Sequence, residues 1–125
     1  MECHGRLEFT WQEDRLYVNA FGPFNDEGAA QAGKAYLDII ANKPVEHFAV
    51  VEVLDPESLG SPNTMGEVRK LWDFLGASGC YALALVYSNS VQHALAAEFM
   101  TPFGAVFADV ASAERWVEQQ LAPSS

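Results

Sequence analysis

Leu7, Phe9 and Trp11 alternate with Arg6, Glu8 and Thr10, the period of two that belongs to a strand with one buried face. Gln12 to Arg15 is a polar turn, after which Leu16, Val18 and Ala20 alternate with Tyr17, Asn19 and Phe21. The two runs pair most simply as an antiparallel hairpin, closed off by Gly22-Pro23. From Asn25 the period changes. Asn25 is a good N-cap, Asp26 and Glu27 suit the positive end of a helix dipole, and Ala29, Ala32, Tyr36, Ile39 and Ile40 recur at helical spacing as far as Asn42-Lys43-Pro44. Phe48 to Leu54 is apolar apart from Glu52, as expected of a central strand covered on both faces.

Asp55 to Pro62 is a loop of turn formers, and Ser61 as N-cap with Pro62 as first helical residue predicts a second helix. Its inner stripe is Met65, Val68, Trp72 and Leu75, and Gly76 and Gly79 stop it. Tyr81 to Tyr87 reads as another apolar strand, and Ser88-Asn89-Ser90 caps a shorter helix carrying Val91, Leu95 and Phe99. Pro102-Phe103-Gly104 breaks that helix, Ala105 to Ala108 is a short strand, and Asp109 caps a last helix with Ala113, Trp116, Val117 and Leu121 inward. The resulting order is ββαβαβαβα, an α/β fold with a mixed five-stranded sheet and flanking helices. No repeat, low-complexity tract or interdomain linker interrupts it, so residues 1–125 are expected to form a single domain with an ordered core of about 5–121.

Half of the 125 residues are apolar, enough for one core without disulfides or a structural metal. Acidic residues number 17 against 7 basic ones, for a formal charge of −10. The cations Arg6, Arg15, Lys34, Lys43, Arg69, Lys70 and Arg115 are scattered, which argues against nucleic acid and against an anionic bilayer, both of which need clustered positive charge. No long apolar run and no signal-like amino terminus occurs, so membrane insertion is not expected and a cytoplasmic location is. Cys3 and Cys80 are read as free thiols.

No Gly-rich phosphate loop, dinucleotide fingerprint or hydrolase elbow is present, so no cofactor and no catalytic residue is assigned. Cys3-His4, His47 and His93 lack metal-ligand spacing, and no metal is expected. Cys80 opens an apolar strand, where an inert thiol is more usual than a nucleophile. Glu52 inside the central strand is the one odd position: it either carries a raised pKa at a site or, as the simpler expectation, points to solvent or pairs with a Lys. Phe21, Phe24, Tyr36, Phe99 and Phe103 fall near element ends, where they fill the core or line an apolar ligand pocket between helices and sheet.

An opening hairpin followed by alternating helices and strands resembles the STAS domain of anti-sigma-factor antagonists, over about residues 5 to 121. Glu98-Phe99-Met100-Thr101-Pro102-Phe103, leading into Val106-Phe107 and an acidic helix cap, is similar to the uncharacterised bacterial SpoIIAA-like proteins, whose fold is also similar to lipid-binding CRAL-TRIO domains. In the antagonists a Ser or Thr at the start of the helix after the central strand is phosphorylated within Asp-Ser-Ser/Thr-Gly. The nearest match is Asn63-Thr64-Met65-Gly66, with Asn63 at the acidic position and a longer loop before it. The resemblance implies a non-enzymatic binding or regulatory module that contacts a protein partner through residues 55–64, with Ser58, Ser61 or Thr64 as phospho-acceptor or simply as helix cap. The similarity to lipid-binding folds implies an alternative, a carrier or sensor for a small apolar or lipid-like ligand. A homodimer is compatible with either.

Overall fold

The computed structural model describes residues 5–58 and 62–121, with side chains in the second helix from Met65 onward. Strands β1 (Arg6–Gln12) and β2 (Arg15–Phe21) form the expected hairpin, with Arg6 opposite Phe21 and Gln12 opposite Arg15. Glu13 takes φ 57° in the tight turn between them, the left-handed conformation that such a turn demands. Helix α1 (Asp26–Ala41), β3 (Phe48–Leu54), α2 (Pro62–Ala77), β4 (Cys80–Val86), α3 (Ser90–Phe99), β5 (Gly104–Phe107) and α4 (Val110–Gln119) follow. The order is ββαβαβαβα. Among the described residues the five strands make one sheet in the order β1-β2-β3-β4-β5, antiparallel at the hairpin and parallel from β2 to β5.

Because each parallel strand is added on the same side of the last, crossovers of one hand lay α1, α2 and α3 on a single face of the sheet. That face is built of large residues: Leu16 and Val18 from β2, Phe48 and Val50 from β3, Leu83 and Leu85 from β4, with Tyr36, Ile40, Trp72 and Leu75 packed onto them. The opposite face offers small ones, Ala49, Val51, Ala82 and Ala84, which let α4 approach through Ala113 and Val117. Asn25, Asn89 and Asp109 each accept a backbone N–H of the helix they open, at 2.7, 2.9 and 2.7 Å. These are the caps the sequence predicts.

Both later strands begin one residue earlier than the apolar runs suggest, because pairing starts at Cys80 opposite Phe48 and at Gly104 opposite Leu83. Two of the apolar residues named for the helices lie at the surface. In α3 the buried residues are Gln92 and Ala96, while Val91 is 66% exposed. Gln92 is drawn in by hydrogen bonding: its amide donates to Asp55 O at 2.5 Å and accepts from Ser88 N at 2.6 Å, stitching the loops after β3 and β4 together. The inward assignment of Leu121 is corrected: it is 89% exposed, because α4 stops at Gln119 and Leu121 lies beyond the helix. Among the described residues no helix is long and apolar enough to cross a membrane.

Candidate functional site

Tyr36 and Ile40 seat α1 on the sheet, but the stripe of α1 that faces α2 carries Ala29, Ala30 and Gly33, side chains too small to reach the neighbouring helix. A Cβ added at Gly33 would meet nothing within 4 Å. From α2 come the opposing Val68, Leu71, Trp72 and Phe74. Between the two helices a cleft of about 820 Å³ remains, within the range of about 300–1,000 Å³ typical of small-molecule sites. Leu37 and Phe74, 41% and 42% exposed, continue its apolar wall out to the surface. Asp26 and Lys34 from α1 and Glu67 and Lys70 from α2 complete the walls, and Lys70 is paired with Glu67 at 3.2 Å.

Gly33 costs helix stability without relieving any clash. Gly33→Ala is therefore expected to raise the unfolding free energy by about 0.5–1 kcal/mol in urea titrations. A fall in stability instead would mean that α1 and α2 already close the space.

The sheet supplies the floor, with Ala20 from β2, Glu52 and Leu54 from β3 and Leu85 from β4. Glu52 follows Phe48 and Val50 on the helix-covered face and is 8% exposed. The expectation of a solvent-facing or Lys-paired carboxylate does not hold. Its partner is the Tyr36 hydroxyl, which donates to Oε1 at 3.0 Å, and among the described residues Glu52 joins no ion pair. Burial pushes its pKa up to about 7, against the smaller opposing effect of the Tyr36 hydrogen bond. Burial also raises the Tyr36 hydroxyl well above its ordinary value, helped by the carboxylate beside it.

Of the aromatic residues singled out from the sequence, Phe24 and Tyr36 line this cleft. Phe21 sits on the other face of β2 under the Arg6 guanidinium, 4.6 Å from its ring centre. Phe99 and Phe103 pack on the core beyond α2, where the Phe103 ring lies so close to Gly76 that an added Cβ would come within 2.7 Å of it. Trp72 and the small stripe of α1 are site elements that the aromatic pattern alone does not mark; the signal for them is Ala29-Ala30 and Gly33 at helical spacing.

The loop after β3 is tied down. Asp55 Oδ1 accepts from Gly22 N at 3.1 Å, Glu57 N at 3.0 Å and Ser58 Oγ at 2.6 Å. Although desolvation opposes them, these bonds hold its pKa below the usual carboxylate value. Ser58 is buried, and its hydroxyl also lies 2.6 Å from Ala20 O. Ser61 falls outside the described residues, as does the side chain of Thr64. Cys80 is buried, with its thiol donating to Ala82 O at 3.3 Å and its pKa pushed up to about 12 by burial. His93 stacks on Tyr87 with ring centres 4.6 Å apart. Cys3 and His4 also lie outside the described residues.

In comparisons with known proteins, no family model matches the chain and no curated protein is significantly similar to it.

Proposed function

We propose that the domain binds one small, largely apolar molecule in the cleft between α1 and α2, as a carrier or sensor. The observation that carries this reading is the coincidence of an apolar cleft with a buried carboxyl group at its floor. A gap left merely by loose packing would be lined by apolar atoms alone, because burying a carboxyl costs several kcal/mol unless something compensates it. Leu37 and Phe74, which both line the cleft, also stay partly exposed, apolar surface of the kind that marks a ligand site. The alternative drawn from the STAS resemblance, a phospho-regulated contact surface, has less support at Ser58, whose hydroxyl is already committed to Ala20 and Asp55.

Native mass spectrometry of the protein purified from its own cells tests the proposal. The expected spectrum contains an adduct that is lost from Gly33→Phe, a variant that places a ring across the middle of the cleft. An adduct-free protein that also shows no thermal shift with apolar probes overturns the reading.

A further inference from the structure

We propose that the ligand is a lipophilic amine, a protonated primary or secondary amine on an apolar body, whose N–H groups pair with the Glu52 carboxylate at the floor of the cleft. This rests on the cleft being the binding site, and adds the charge and chemistry of the molecule that fills it. Glu52 has two oxygens. Oε1 accepts the Tyr36 hydroxyl, and Tyr36 has only that one proton to give. No described side chain donates to the other oxygen, and no described cation is paired with the group. A buried carboxylate with one hydrogen bond and no counter-charge is an incomplete ion pair, and the missing half is a cation bearing N–H donors.

Charge points the same way. Asp26, Glu52 and Glu67 line the cleft against Lys34 and Lys70, one of which is already bound to Glu67. The chain as a whole carries −10, so a cation is drawn toward it and an anion repelled. Phe24, Tyr36 and Trp72 line the same cleft, and aromatic rings stabilise ammonium groups that have left water. A fatty carboxylate would meet Glu52 as a like charge. An alcohol would offer a single donor and no charge.

The titratable groups around Glu52 are Tyr36 on α1, itself influenced by Cys80 on β4, with Asp55 just past the end of its own strand and Asp26, Lys34, Glu67 and Lys70 on the cleft walls. Burial keeps the Tyr36 hydroxyl and the Cys80 thiol neutral through the neutral range, and Asp55 is held ionised, so Glu52 is the floor group that changes charge there. Amine binding needs it ionised. Affinity is therefore expected to rise with pH through about 7.

Isothermal titration with n-decylamine, 1-decanol and decanoate, three probes of one chain length, tests the assignment. At pH 8 decylamine is expected to bind at least tenfold tighter than either of the others. At pH 5.5 its affinity should be about thirtyfold weaker than at pH 8, because only a few per cent of Glu52 is then ionised. Glu52→Gln should remove both the amine preference and this pH dependence. The wild-type pH profile is an independent readout that needs no variant to fold. If decanol or decanoate binds tightest and Gly33→Phe blocks it, the amine assignment is overturned while the cleft stands. If no probe binds, or Gly33→Phe binds all three as the wild type does, both readings fall.

Discussion

Glu52→Gln is expected to be more stable than the wild type at pH 8 and about equally stable at pH 5. The folded-state pKa of Glu52 stands at about 7, above the ordinary value of 4.5 that it regains on unfolding. Between those values the folded protein holds a proton that the unfolded chain releases, so wild-type stability falls as pH rises from about 4.5 to 7 and stays lowered above that. The gap corresponds to about 3 kcal/mol. A Gln keeps an oxygen for the Tyr36 hydroxyl but brings an amide N–H₂ with no described acceptor, a cost of about 1 kcal/mol at either pH. The net expectation is a gain of about 2 kcal/mol at pH 8 and almost no change at pH 5, where the unfolded wild-type chain has already released most of its Glu52 proton, a linkage cost of about 1 kcal/mol that Gln also removes. Urea unfolding at the two pH values, followed by tryptophan fluorescence, measures the difference, in which the remaining titratable groups cancel. Parallel stability–pH curves for the two proteins would show that Glu52 does not carry the burden its burial implies.

The same carboxyl links stability to the proposed ligand. In the empty domain above pH 7 it is a charge held out of water with one hydrogen bond, a local penalty of the kind that binding sites retain against the stability of the fold. A cation that completes the pair removes part of that penalty, so binding and stabilisation come from one interaction. The proposed preference for an amine and the expected pH dependence of the protein alone would thus be two consequences of a single placement on β3.

That placement was only partly legible beforehand. The elements could be read because each change of period coincides with a turn or cap: Asn25, Asn89 and Asp109 open helices at the points where alternation ends. The parity of Phe48, Val50, Glu52 and Leu54 also puts Glu52 on the face with the large residues. A strand covered on both sides gives no sign of which side is fully packed, so an exposed or Lys-paired Glu52 remained the simpler reading. The missing information lay on α1. Periodicity counts apolar positions without weighing their size, and Ala29, Ala30 and Gly33 satisfy it while leaving the space that reaches Glu52. Phe24 and Tyr36, near element ends in the sequence, border that same gap. Phe21 was not separable from them, since only the pairing of β2 with β1 and β3 assigns it to the opposite face.

Tyr36→Phe should act in the opposite sense to Glu52→Gln, making stability more dependent on pH rather than less. Tyr36 is 1% exposed, and its ring packs edge-on against Phe9 with centres 5.2 Å apart, a contact that phenylalanine preserves. What is lost is the hydroxyl donated to Glu52 at 3.0 Å. At pH 5 both partners are neutral, and the bond is worth about 1 kcal/mol. At pH 8 the acceptor is charged, and its loss costs about 2 kcal/mol, limited by the carboxyl taking up a proton once its pKa moves further above about 7. Adding Glu52→Gln to Tyr36→Phe should flatten the profile again, because the acid whose titration the hydroxyl controls is gone. If Tyr36→Phe cost the same at both pH values, or if the double variant kept the steep profile, the hydroxyl would not be the group that holds the Glu52 charge, and its place at the floor of the cleft would be structural alone.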